Sequence, residues 1–115
     1  MTNSPALPAS VRRLMLDKKN TIVVSAASAW EMATKVRLGR LPAASDITRN
    51  FQEYLVQSGF ESLPVSAEHG IRAGMLPGPH RDPFDRMLIA QAQAEDLTIV
   101  SNEVTFDDYG VRRVW

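Results

Sequence analysis

The sequence predicts an α/β fold in which helices cover a mostly parallel sheet. Residues 21–25 are a β-branched run without alternation of apolar and polar residues, which is typical of a strand covered on both faces. Residues 97–101 contain a second short apolar run of strand type. Stretches with apolar residues at helical spacing lie between and around these runs. Strands that alternate with helices indicate a layered domain with parallel strands.

The first half of the chain predicts three helices around the first strand. Residues 9–17 indicate a short helix. The four residues 28–31, Ser-Ala-Trp-Glu, match a capping box, so we expect a helix to begin there and to end near Gly39. Asp46 is expected to cap a further helix that Gly59 ends.

The second half predicts two more helices and the remaining strands. Residues 60–65 are extended, and Ser66 caps a helix that runs through Met75. Asp82 caps the next helix, with Pro83 at its first position, and this helix runs to about residue 96 before the strand 97–101. Residues 111–114 indicate a last short strand.

Composition narrows the class of protein. A chain of 115 residues with 44% apolar content makes one domain with its own core. Thirteen basic and thirteen acidic residues balance, which argues against broad non-specific binding to nucleic acid. The absence of cysteine excludes disulfides, thiol catalysis and cysteine zinc sites. Without a signal peptide or a membrane-spanning run, we expect a cytoplasmic protein with no membrane partner.

Three carboxylates are candidate metal ligands. Glu31 follows the strand 21–25, Glu103 follows the strand 97–101, and Asp85 opens the helix that precedes the second of these strands. Because the carboxyl ends of parallel strands lie along one edge of a sheet, we expect these side chains to converge there. Mg²⁺ and Mn²⁺ prefer oxygen ligands, and such an ion can activate water beside a phosphate.

Structural roles explain the same residues, and spacing alone favours them. Glu31 fits the third helical position of a capping box, and Asp82 and Asp85 fit a helix start without any metal. His80 fits a loop residue better than a base. Trp30 fits a core residue better than a platform for base stacking.

Six segments together resemble one family. They are residues 24–35 (VSAASAWEMATK), 39–41 (GRL), 63–65 (LPV), 80–92 (HRDPFDRMLIAQA), 97–101 (LTIVS) and 109–111 (YGV). In this order the segments resemble a PIN domain, and specifically the VapC-type toxins of bacterial toxin–antitoxin pairs. The two long segments carry most of the specificity.

The resemblance implies a three-layer α/β/α fold and a ribonuclease that depends on Mg²⁺ or Mn²⁺. It implies a homodimer that acts on RNA and is inhibited by a cognate antitoxin. Glu31 and Asp85 match metal-site positions of the family, and Glu103 falls where the family usually has an aspartate. Lys35, Arg81 and Arg86 are candidate phosphate contacts, and the two arginines fit a solvated face equally well.

The beginning of the chain departs from the family pattern. Members begin with an apolar strand that ends in a metal-binding aspartate, and nothing before Thr21 matches it. We therefore expect a single PIN-like domain, residues 1–115, that lacks the first, central strand and leaves two strand pairs with unpaired edges. An alternative function follows: a weak or inactive PIN-like protein that acts by binding an antitoxin or a homologous partner.

Overall fold

The computed structural model of the protein describes residues 7–115, which fall into two compact units. The middle unit comprises residues 21–65, and the C-terminal unit combines residues 7–20 with residues 66–115. In chain order, the helices and strands are α1 (Ala9–Leu16), β1 (Val23–Ser25), α2 (Ala26–Arg37), α3 (Ser45–Arg49), α4 (Phe51–Ser58), β2 (Glu61–Leu63), α5 (Ala67–Met75), α6 (Pro83–Glu95), β3 (Ile99–Val100) and β4 (Arg113–Val114). Two 3₁₀ helices span Pro42–Ala44 and Val104–Tyr109.

The described strands form two parallel pairs. In the middle unit β1 pairs with β2, and Ser25 lies opposite Leu63 at the end of the pair. In the C-terminal unit β3 pairs with β4, with Val100 opposite Val114. The predicted parallel pairing of an α/β fold is therefore confirmed, and the strands are shorter than the apolar runs that predicted them.

Each unit buries its own apolar side chains. Ala27, Met32 and Leu55 are buried in the middle unit. In the C-terminal unit the side chains that are almost completely buried include Val11, Ile89 and Phe106. Within residues 7–115, no helix is long and apolar enough to cross a membrane.

Helix α2 begins three residues earlier than the capping-box motif predicts. Its N-cap is Ser25, whose side-chain Oγ accepts a hydrogen bond from the backbone N–H of Ala27 at 3.0 Å. The chain turns into the helix as soon as β1 ends, so Ser28 lies inside the first turn. The capping-box interpretation of Glu31 is thus wrong, because Glu31 lies six residues beyond the cap.

The helix predicted between Asp46 and Gly59 is interrupted. Asp46 lies in the first turn of α3 and does not cap it, since the N-cap position is Ala44. At Asn50 the backbone leaves the helical region (φ −120°, ψ 41°), which separates α3 from α4. Gly59 ends α4 in the left-handed conformation (φ 73°), as predicted.

The two helices before β3 begin where their caps predict. Ser66 and His69 form a reciprocal capping box at the start of α5. Asp82 caps α6 by accepting hydrogen bonds from the backbone N–H groups of Phe84 (2.9 Å) and Asp85 (3.3 Å). Pro83 occupies the first helical position, where its missing N–H costs nothing.

Candidate functional site

Both strand pairs end in a buried serine that redirects the chain. Ser25 ends β1, and Ser101 follows β3. The side-chain Oγ of each accepts a hydrogen bond at 3.0 Å from the backbone N–H two residues further on, in Ala27 and in Glu103. Glu31 and Glu103 therefore each come after a turn that is stabilised by the same kind of serine hydrogen bond.

Glu31 is a carboxylate on the buried face of α2. The buried residues of this helix are Ala27 and Met32, and at 100° per residue Glu31 lies about 30° from the midpoint between them. Its side chain is only 15% exposed, and Oε2 lies 3.6 Å from Nζ of Lys35, one turn along the same helix. Lys35 therefore places a cation beside this mostly buried carboxylate.

Trp30 lies away from the buried face of α2. It is 62% exposed, so the prediction of a core residue is wrong. At 100° per residue it lies about 130° from the midpoint of the buried face.

Asp85 is held by His80. It occupies the third position of α6 and is not the cap, since Asp82 fills that role. Oδ2 of Asp85 lies 3.0 Å from Nε2 of His80, and both side chains are about one-fifth exposed. Because an ionised carboxylate only accepts, Nε2 of His80 donates in this contact.

Arg86 fixes the loop that carries His80. Its guanidinium donates to three backbone carbonyls: Nε to Ala73 (3.1 Å), Nη1 to His80 (2.9 Å) and Nη2 to Leu76 (2.6 Å). These contacts connect the end of α5, the loop 76–82 and the start of α6. The side chain predicted as a phosphate contact is therefore directed at the protein backbone, whereas Arg81 is exposed.

Tyr109 supports the same loop from the opposite side. Its hydroxyl accepts the backbone N–H of His80 at 3.3 Å, and the two rings have centroids 6.4 Å apart. Gly78 has a φ of +98°, and a Cβ there would come within 2.8 Å of the Tyr109 hydroxyl. Only glycine allows this approach.

Glu103 is exposed at the start of the 3₁₀ helix Val104–Tyr109. Arg113 braces this region: Nε and Nη2 donate to the two carboxylate oxygens of Asp107 at 3.0 Å each, and Nη1 donates to the backbone oxygen of Ser101 at 3.1 Å. The hydrogen bonds from Arg113 lower the pKa of Asp107, and Asp107 in turn raises the pKa of Arg113.

The predicted ligands are divided between the two units. Glu31 belongs to the middle unit, and Asp85 and Glu103 belong to the C-terminal unit, so their convergence stays a prediction. Carboxylate oxygen suits Mg²⁺ or Mn²⁺. Among residues 7–115, however, no three His, Asp or Glu side chains are grouped closely enough to hold a metal ion.

Sequence reasoning missed the support around Asp85. The prediction that His80 is a loop residue is confirmed, but the sequence shows neither its contact with Asp85 nor its support by Tyr109. The available signal was the loop Leu-Pro-Gly-Pro at residues 76–79, whose glycine and prolines indicate a fixed turn directly before His80.

The chain matches the family model described as "PIN domain" over residues 3–111. This protein belongs to the PIN domain family. The PIN assignment agrees with the parallel strand pairs and with the motif around Asp85.

A curated relative narrows the comparison. Ribonuclease VapC16 of Mycobacterium tuberculosis (strain ATCC 25618 / H37Rv) is 36% identical over 58 residues, which are 50% of this chain and 41% of that protein. The chain thus matches less than half of that relative's length. No solved structure matches the chain significantly.

Proposed function

We propose that this PIN domain protein is a metal-dependent endoribonuclease of the VapC toxin type. The observation that carries the proposal is the setting of Asp85, a carboxylate at a helix start that His80 orients and that is not used as the cap. The name of the relative, a ribonuclease, points to the same class of reaction.

Each residue has a proposed role. Glu31 and Asp85 would hold Mg²⁺ or Mn²⁺, and Glu103, which is exposed, would contribute from the outer shell. When bound, the ion activates a water molecule and neutralises charge on the RNA phosphate. Lys35 and Arg81 contact phosphate oxygens, while Arg86 acts by fixing the loop that orients His80 and Asp85.

The toxin assignment extends to partners and location. We propose a cytoplasmic homodimer that a cognate antitoxin protein inhibits. The support is the resemblance of segments 24–35 and 80–92 to VapC toxins together with the VapC relative.

A second function is favoured by one observation. Because no three candidate ligands are grouped among residues 7–115, the protein is alternatively a weak or inactive PIN domain that binds an antitoxin or a homologous partner. Specific binding of Mn²⁺ to the native state raises the melting temperature, so the absence of any shift favours this alternative.

The test of the proposed function is RNA cleavage in Mn²⁺ by wild type, Asp85→Asn and Asp82→Asn. We expect Asp85→Asn to lower the rate about 100-fold or more, because it removes a metal ligand. Asp82→Asn is the matched control: it makes the same charge change one turn away, and asparagine caps a helix as well as aspartate. Equal cleavage by Asp85→Asn and wild type contradicts the proposal.

A further inference from the structure

The C-terminal unit contains a pocket that is lined in part by His80, the residue that contacts Asp85. Its volume is about 610 Å³, within the range typical of sites for small ligands, about 300–1,000 Å³. The loop 76–80 lines it from one side and the 3₁₀ helix Val104–Tyr109 from the other, and Gln93 of α6 also contributes. Most of the lining residues are exposed, so a ligand can enter from solvent.

The two sides of the pocket are fixed before any ligand binds. Tyr109 accepts a hydrogen bond from the backbone of His80, and Arg86 donates to the carbonyls of Leu76 and His80. The glycine at position 78 allows the loop to approach the tyrosine closely. A site held in this way loses little conformational entropy when it binds.

His80 connects the pocket to the proposed chemistry. It lines the pocket, and its ring contacts the carboxylate of Asp85 at 3.0 Å. A ligand in the pocket would therefore lie beside a residue that contacts Asp85. If Asp85 acts on a phosphate, as the proposed function states, the pocket is in position for an adjacent part of the same nucleotide chain.

The lining chemistry favours a base over a phosphate. The aromatic ring of Tyr109 and the rings of Pro77 and Pro79 supply apolar surface. Among the described residues, neither lysine nor arginine lines the pocket, although phosphate binding normally uses them. A flat, uncharged, partly apolar group suits this surface, and nucleobases bind proteins by stacking on such rings.

The polar groups of the pocket are mostly acceptors. Asp108 offers a carboxylate, and Gln93 uses its Nε2 to donate to the backbone oxygen of Tyr109 at 3.2 Å, which leaves its side-chain oxygen as an acceptor. Thr105 adds a hydroxyl. Acceptors select a base whose edge carries donors, and guanine has two adjacent donors, N1–H and the N2 amino group, that match one carboxylate.

We propose that this pocket binds a guanine base of the RNA substrate, with Asp108 accepting from the N1–H and N2 amino groups while the ring packs against Tyr109. The proposal rests on the proposed function for its substrate class. If correct, guanine binding in this pocket determines in part which RNA sequences the protein prefers.

The test uses the ¹⁵N-labelled full chain in EDTA, titrated separately with GMP, AMP, CMP and UMP. We expect GMP to shift amide resonances of residues 76–80 and 104–109 and to bind at least about tenfold more tightly than UMP, equivalent to about 1.4 kcal/mol. Asp108→Asn should remove this preference. Asp46→Asn, an exposed aspartate in the middle unit, is the matched control and should retain it.

Two results overturn the proposal. One is that the amide resonances of neither segment shift when GMP is added. The other is that wild type, like Asp108→Asn, binds the four nucleotides with equal affinity. Circular dichroism and melting of each variant separate a binding defect from unfolding. Because the titration contains no metal and needs no cleavage, it is independent of the nuclease assay. Selective GMP binding together with no RNA cleavage by the wild type refutes the nuclease and leaves the pocket. Cleavage that is lost in Asp85→Asn, together with unselective nucleotide binding, refutes the pocket alone.

Discussion

The two units end their strand pairs in the same way but support their carboxylates differently. In both, a buried serine caps the backbone N–H two residues on. In the middle unit, Glu31 is then paired with Lys35 of its own helix. In the C-terminal unit, Asp85 is paired with His80 from a preceding loop, which Arg86 and Tyr109 hold in place.

The two carboxylate pairs depend on different parts of the structure. The Glu31–Lys35 pair needs only a helix, because residues four apart lie on the same face. The Asp85–His80 pair needs the loop 76–82 to be folded against two other elements. We therefore expect distant substitutions to disturb Asp85 and to leave Glu31 unchanged.

The largest expected effect on stability is at Arg86. Arg86→Lys cannot reproduce three hydrogen bonds to separate carbonyls, so we expect the free energy of unfolding to fall by about 2–4 kcal/mol. Lys35→Met, which breaks the Glu31–Lys35 pair of the middle unit, should cost no more than about 1 kcal/mol. Urea unfolding of the two variants measures both values. Equal losses would show that the two carboxylates are supported alike.

A smaller loss is expected at Gly78. Gly78→Ala places a Cβ 2.8 Å from the Tyr109 hydroxyl at a φ of +98°, which should lower the free energy of unfolding by about 1–3 kcal/mol. Gly39→Ala is the matched control, since its φ is also positive (+72°) but no atom lies within 4 Å of the added Cβ. If the control loses as much stability as Gly78→Ala, the close approach to Tyr109 contributes nothing beyond backbone strain.

The smallest effect concerns pH. The pKa of Asp107 is lowered in the folded state by its hydrogen bonds from Arg113, so this pair stabilises the fold at pH values above the unfolded pKa, about 3.9. The contribution is lost as the pH falls from there through the lowered folded pKa. Because Asp107 is exposed, we expect a slight effect. Denaturation of wild type and Asp107→Asn between pH 6 and pH 2.5 measures it: the two curves should approach each other in acid, and a constant gap contradicts the assignment.

Local signals predicted the helices that begin at strong caps. Ser66 and Asp82-Pro83 determine where α5 and α6 begin, because these residues satisfy free backbone N–H groups whatever the tertiary structure. Ser25 and Ser28 are both acceptable caps in sequence. The pairing of Ser25 with Leu63 selects the first of them, and this long-range contact has no local signature.

The sequence marks candidate site residues but does not show which side chains support them. The sequence marks Glu31 and Asp85 as candidate ligands through the motifs around them. It does not show that His80 contacts Asp85, because that contact depends on a loop whose course is fixed by Arg86 and Tyr109, six and twenty-nine residues away from His80. The apolar character of Trp30 does not show that it is exposed either. Which face of α2 is buried depends on where the helix begins, and the sequence places that start three residues too late.

The most direct test of the account is calorimetric titration of Mn²⁺ into wild type, Glu31→Gln, Asp85→Asn and the double variant. If Glu31 and Asp85 hold one ion, each single substitution weakens binding about 10-fold or more, and the double variant loses less than the sum of the two effects in free energy. Wild-type affinity in either single variant, or no Mn²⁺ binding by the wild type, would contradict the proposal that Glu31 and Asp85 hold one ion.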